Sequence, residues 1–460
     1  HGVTGGPLES VAMAVSNGCD LNCGQLFAYV AEAVKQGMIS EERVDEALVN
    51  LFTTRMKLGV FDGKDATPFD KIPFTVVDSK EMKELNLEAS RKCITLLKNE
   101  NGLLPLDKSK LKTIGIIGPN ADNRRALVGN YEGTASRYYT ISEGIQDYVG
   151  EDVRVLVSEG CHLYKESISN LSKGHDRISE VKGVCEASDV VILCLGLDPG
   201  LEGEEGDEGN QYASGDKPNL NLPGMQQEVL ETAYASGKPV VLVLLSGSAL
   251  AVGWAQEHVP AIIQGWYPGA MGGKAIAEVL FGDKNPEGRL PVTFYRTTEE
   301  LPEFTDYAMK DRTYRYMKNE ALYPFGYGLS YTEFTYSDAK LSEAELPEDG
   351  IVVSATLTNT GSREGTETVQ VYVRADREGT PNAQLKGIKK VTLKAGESRD
   401  IQVKLPLNAF GLYDEQAVFR VQKGNYLVSI GGSQPEARSE ELTGRKVAVM
   451  GVTAGREYLL

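Results

Sequence analysis

The feature that most constrains this chain is a series of short apolar blocks between residues 112 and 267, with helix-like segments between several of them. KTIGIIGPN, DVRVLVS, DVVILCLGL, KPVVLVLLSG and VPAIIQGWY do not alternate apolar with polar residues. That is the pattern of strands buried on both faces. GMQQEVLETAYAS (224–236) and GGKAIAEVLF (272–281) carry helical spacing. Strand and helix in alternation predict a mostly parallel sheet covered by helices, an α/β sandwich over 90–300.

The flanks read differently. Residues 8–60 are helical in pattern: Ser40 is placed to cap a helix whose Val44, Leu48, Leu51 and Leu58 keep near-3.6 spacing, with Glu41 and Glu42 in its first turn. Residues 66–89 hold two prolines and read as a linker, with a helix beginning near residue 80. Residues 301–334 are expected as a second linker. From 335 to 433, IVVSATLTNTG, ETVQVYVRA, KGIKKVTLK, SRDIQVKLPL and GNYLVSIGG alternate with period 2 between short turns. These predict an antiparallel β-sandwich. The tail 434–460 carries no pattern that places it.

The net charge of −17 opposes a nucleic-acid or anionic-membrane partner. No stretch reaches the roughly 18 apolar residues needed to span a bilayer. Six scattered cysteines, with Cys93 and Cys194 in apolar surroundings, read as reduced thiols and favour a cytoplasmic setting. Four dispersed histidines and a lone Cys19-Asp-Leu-Asn-Cys23 give no zinc-site spacing. The opening HGVTGGP, without Met, reads as a cut through something larger.

Chemistry concentrates in one stretch. Directly after DVVILCLGL comes Asp198-Pro-Gly-Leu-Glu202-Gly-Glu204-Glu205-Gly-Asp207-Glu208, with five acidic residues in the seven positions 202–208. Loops at the carboxyl ends of parallel strands are where ligands collect. Crowded carboxylates raise one another's proton affinity, which suits a general acid; a solvated loop or a weak cation site is the plainer reading. Gly115-Ile-Ile-Gly118 lacks the third glycine of a dinucleotide turn. Ser246-Gly-Ser248 lacks a nucleophile elbow and reads as a turn. Trp266-Tyr267-Pro268 and Tyr314-Arg315-Tyr316 fit either stacking on a sugar ring or filling an interface.

Taken together, EASRKCITLLKNENGLLPL, IGIIGPNAD, LPG at 222–224, GWYPGAMGG, VLFGDKNPEGRLPVTF, RTYRY and YPFGYGLSYTEF resemble glycoside hydrolase family 3. NTGSREGTETVQVYV resembles the fibronectin type III-like domain that often ends such enzymes. The resemblance implies a multidomain chain. Residues 1–65 would be the C-terminal part of a (β/α)₈ barrel, a fold of about 250 residues when whole. The α/β sandwich and a fibronectin type III-like sandwich would follow.

The implied reaction is retaining hydrolysis of terminal β-glycosides by two carboxyl groups about 5–5.5 Å apart, with no metal or organic cofactor. Aligned without gaps, GLDPGLEGE puts the acid/base on Glu204; Glu205 and Glu202 remain alternatives. The family's nucleophile is an Asp in a Ser-Asp motif on the barrel. Ser188-Asp189 matches in letters but opens a strand of the wrong domain, so the nucleophile is expected outside this chain. The expected partners are a β-linked oligosaccharide, a β-glucoside first and a β-xyloside second, and the missing barrel segment, as a separate chain or another part of the same one. A homo-oligomer is left open. A non-catalytic carbohydrate-binding protein is the competing class.

Overall fold

The computed structural model describes residues 3–130, 132–167, 169, 171–202, 217–303 and 305–460. It divides into two compact units, His1–Met82 and Lys83–Leu460. The first contains α1 (Pro7–Ser16), α2 (Val30–Lys35) and α3 (Glu41–Lys57). Ser40 Oγ accepts from Arg43 N and caps α3, whose first turn carries Glu41 and Glu42. Acidic residues there complement the helix dipole. The unit's core is small, built on Val11, Val15, Ala33 and Ile39. Periodicity marked Leu48 and Leu58 as an apolar stripe, yet they are 42% and 58% exposed. Spacing specifies a stripe; only a packing partner buries it.

The second unit holds two layers of architecture. α4 (Lys80–Cys93) leads into a six-stranded sheet. In chain order it is made of β1 (Thr95–Asn99), β2 (Thr113–Ile117), β3 (Arg154–Ser158), β4 (Val190–Gly196), β5 (Val240–Leu245) and β6 (Ala261–Gln264). Between strands run α5 (Ile141–Val149), α6 (Ile178–Glu186), α7 (Gln226–Ala235) and α8 (Gly253–His258), with α9 (Gly272–Leu280) after β6. The spatial order is β1-β6-β5-β4-β2-β3. All neighbours are parallel except the edge strand β1, which pairs antiparallel with β6. Every residue of β4 and β5 is buried. Val191, Leu193 and Leu195 face a core with α6, α7 and α8, while Ile192 and Cys194 face one with α5 and α9. This is why the blocks do not alternate: both faces are dry.

Residues 301–334, expected as a linker, are more than a tether. Tyr323 and Tyr327 are fully buried in the same core as α6–α8, and Tyr327 donates its hydroxyl to Leu97 O at 2.8 Å. Aromatic anchors in an irregular segment have no period for a sequence pattern to detect.

The β-sandwich follows: β7 (Phe334–Leu341), β8 (Ile351–Asn359), β9 (Gly365–Ala375), β10 (Gln384–Leu393), β11 (Ser398–Leu405), β12 (Leu412–Tyr413), β13 (Phe419–Val421), β14 (Gly424–Gly431), β15 (Ala448–Ala454) and β16 (Tyr458–Leu459). One sheet runs β10-β9-β14-β15, another β11-β8-β7, and a small third β12-β13-β16. β8 alternates strictly buried and half-buried, as a strand with one dry face should. The tail completes this domain, because β15 pairs along β14 and β16 closes on β13. A helix, α10 (Ala437–Thr443), connects them to β14.

The two layers are joined by a buried ion pair. Arg289 Nη2 lies 2.9 Å from Glu367 Oε1 on β9, and the side chains are only 9% and 2% exposed. Removing one partner strands the other charge in a dry site. Glu367→Ala is expected to cost about 3–5 kcal/mol in urea unfolding; a loss below about 1 kcal/mol would show the pair to be solvated.

Glu436, just before α10, has its Oε1 buried without a hydrogen-bond partner. Burial pushes its carboxyl up from 4.5 to about 7, and the nearby Glu320 adds to the shift. A raised folded-state pKa contributes stability that is complete below the unfolded value and is lost as pH rises through the folded one. Stability should therefore fall between about pH 4.5 and 7 by on the order of 2–3 kcal/mol and then level off. Glu436→Gln should flatten that slope in pH-dependent melting. An unchanged slope would refute the assignment.

Candidate active site

In a doubly wound sheet, the crevice forms where the strand order reverses. Here that is between β2 and β4, and two glycines let the strand ends close up. Gly118 has φ +131, and an added Cβ would stand 2.1 Å from Cys194 O. Gly196 has φ +129 and would meet Leu245 O at 2.1 Å. Gly118 is thus a packing glycine of the β2–β4 contact, which accounts for the incomplete dinucleotide motif. Across the gap Asn120 Nδ2 donates to Leu197 O at 3.0 Å.

The chain leaving β4 is held from both sides. Gln226, fully buried, accepts from Gly196 N at 2.7 Å. Its amide donates to Gly196 O at 2.8 Å and to Leu163 O at 2.7 Å. Asp198 Oδ1 accepts from Gly200 N at 2.9 Å, forming a turn. Its Oδ2 lies 3.8 Å from Arg125 Nε on the loop after β2.

Glu202 then ties the acidic stretch to the ends of two further strands. Its carboxylate accepts from Gly247 N at 2.7 Å, from the Ser248 hydroxyl and from the Tyr267 hydroxyl. Burial, with the Glu202 charge behind it, pushes the Tyr267 phenol far up, so Tyr267 stays a donor. Those three donors spend the hydrogen-bonding capacity of this side chain on the ends of β5 and β6. Ser246-Gly-Ser248 is the expected turn, with the Ser246 hydroxyl bonded to Ser248 O at 2.8 Å. Its part in holding Glu202 had no signal in the sequence. Glu204 and Glu205 lie outside the described residues, two and three positions beyond this anchor.

The other candidates separate. Ser188-Asp189 sits at the amino end of β4, away from the crevice. There Asp189 Oδ2 accepts from Lys112 N and Thr113 N at 2.7 and 2.8 Å, contacts that hold its carboxyl below the usual range. Tyr314 stacks on Phe325 at 4.0 Å and fills an interface, whereas Tyr267 belongs to the strand-end site. Trp266, at φ +60, points its Nε1 to Cys93 O at 3.1 Å. Among the described residues no group of three or more His, Cys, Asp and Glu side chains is placed to hold a metal ion.

Known proteins agree with this architecture. Residues 94–331 match the glycosyl hydrolase family 3 C-terminal domain, and 367–434 match a fibronectin type III-like domain. A beta-xylosidase of Formosa agariphila is 36% identical over 406 residues, covering 85% of this chain and 53% of that protein. A periplasmic beta-glucosidase of Salmonella typhimurium is 31% identical, covering 94% of this chain and 60% of its own length. Among solved structures, a β-glucosidase from Erythrobacter marinus superposes with TM-score 0.81 at 30% identity, over 99% of this chain and 61% of the other. A family 3 exo-β-xylosidase bound to a xylobiose aziridine probe superposes with TM-score 0.83 at 25% identity, over 100% and 60%. The chain therefore spans roughly half to two thirds of the proteins it matches. With strand order, domain succession and these matches in agreement, the chain belongs to glycoside hydrolase family 3.

Proposed function

We propose that this chain supplies the acid/base half of the active site of a retaining, exo-acting β-glycosidase. The observation that carries the reading is the Glu202 anchor. Three donors commit that carboxylate to holding the strand ends together; of the two candidates that remain, Glu204 and Glu205, the ungapped alignment of GLDPGLEGE favours Glu204 for proton transfer. In this reading Glu204 protonates the leaving glycosidic oxygen and then deprotonates the water that releases the sugar. The nucleophilic Asp comes from barrel residues beyond this chain. The first unit, with α1–α3, is read as the C-terminal part of that barrel, and the missing barrel segment is the partner that completes the site.

The substrate is read as a terminal β-D-glucosyl residue. A β-xylosidase is the second reading, favoured by the names of several relatives and by Glu202-Gly-Glu204 and CDLNCG. Measuring kcat/KM of the full-length protein on chromogenic β-glucoside and β-xyloside decides between them. Hydrolysis of neither would favour the non-catalytic carbohydrate-binding class.

A further inference from the structure

A cavity of about 580 Å³ opens on the β-sandwich, between its four-stranded sheet and the segments 317–320 and 434–438. Glu436 lines it, and one oxygen of its carboxyl, Oε1, is buried beneath that surface without a donor. Gln434, only 3% exposed, lines the same space. Leu427 and Val449 add an aliphatic floor from β14 and β15. Arg374 of β9 lines it too and makes no ion pair among the described residues. The remaining lining charges are paired: Glu320 with Arg296, Arg438 with Glu441 at 2.7 Å and Lys318 with Asp311 at 3.9 Å.

Such a wall sets the ligand's chemistry. It must bring hydrogen-bonding groups to the open side of the Glu436 carboxyl and acceptors to Arg374, and lay C–H surface on the aliphatic floor. It needs no net charge, because the two lining groups left without an ion pair, Arg374 and Glu436, are of opposite sign. A hydroxyl-rich ring system meets all of these, and the volume lies within the range of small-ligand sites. We propose that this cavity is an accessory site for an uncharged oligosaccharide, on the fibronectin-like domain and away from the ends of β4–β6. The inference goes beyond the catalytic reading and stands on the cavity itself.

The test is calorimetric titration of the 460-residue chain with xylotriose and with cellotriose. Two variants accompany it: Ala437→Trp at the exposed rim, which fills the space, and Glu436→Leu, which removes the unmet acceptor and should fold at least as well. Saturable binding of either sugar, weakened at least about tenfold by Glu436→Leu and by Ala437→Trp, is the expected result. In the full-length protein both variants should leave hydrolysis of a nitrophenyl glycoside within about twofold, so a failed catalytic reading shows as absent turnover and not as lost titration. If Ala437→Trp fails to fold, Glu436→Leu decides. No heat from either sugar at millimolar concentration would overturn the proposal. So would affinity unchanged in Glu436→Leu, or binding confined to a glucuronic acid-bearing oligosaccharide.

Discussion

Glu204→Ala in the full-length protein is expected to slow hydrolysis of cellobiose and xylobiose by about 10²–10⁴, the usual span for loss of a general acid. A sugar hydroxyl is a poor leaving group and needs a proton as its bond breaks. A dinitrophenolate does not, so glycosylation from that substrate should be far less affected. Deglycosylation also loses its base, and the covalent intermediate should accumulate. Azide, which needs no deprotonation, should then restore turnover and yield the β-glycosyl azide. Glu205→Ala and Glu202→Ala should lose less and gain nothing from azide. The Glu202 carboxylate is occupied by Gly247, Ser248 and Tyr267, so its removal loosens an anchor and leaves the proton donor in place. Rescue in Glu205→Ala or Glu202→Ala and not in Glu204→Ala would move the role to the rescued residue.

The 460-residue chain by itself is expected to show no β-glycosidase turnover, and addition of the missing barrel segment in trans should restore it if the two parts associate. Retention needs two carboxyl groups about 5–5.5 Å apart, and neither described Ser-Asp pair of this chain offers the second. Asp189 is taken up by backbone amides at the amino end of β4, and Ser337-Asp338 lies on β7 of the sandwich. Robust turnover by this chain would show that the nucleophile lies within it. The same chain should also self-associate in light scattering. In its first unit Val49, Met56, Phe69 and Phe74 are 64%, 66%, 68% and 86% exposed, and apolar surface of that kind seeks a partner.

How much of this was legible from residues alone differs by element. The β4 and β5 blocks announced themselves because a strand dry on both faces leaves no polar alternation. β8 did so for the opposite reason, having one dry face and one wet. Ser40 at the head of α3 was legible because a cap acts within one turn. The acidic stretch after β4 was legible as composition, and its place at the carboxyl end of a parallel strand followed from the strand itself.

What sequence pattern missed has a common cause: it depends on residues far apart in the chain. β1 joins the sheet antiparallel at an edge through its pairing with β6, and β15 joins the sandwich by lying along β14. Tyr323 and Tyr327 enter the core from an irregular segment, where no period records their burial.

The local chemistry of the strands, the turns and the acidic stretch was therefore determined by the sequence itself, since propensity and periodicity act over a few residues. Only the tertiary structure decided that Glu202 of that stretch is spoken for. Glu202 is separated by 45, 46 and 65 positions from the residues that donate to it, and the folding of β4, β5 and β6 side by side brings those donors to one point. A hydrogen bond forms over about 3 Å of space, whatever the length of chain between its partners.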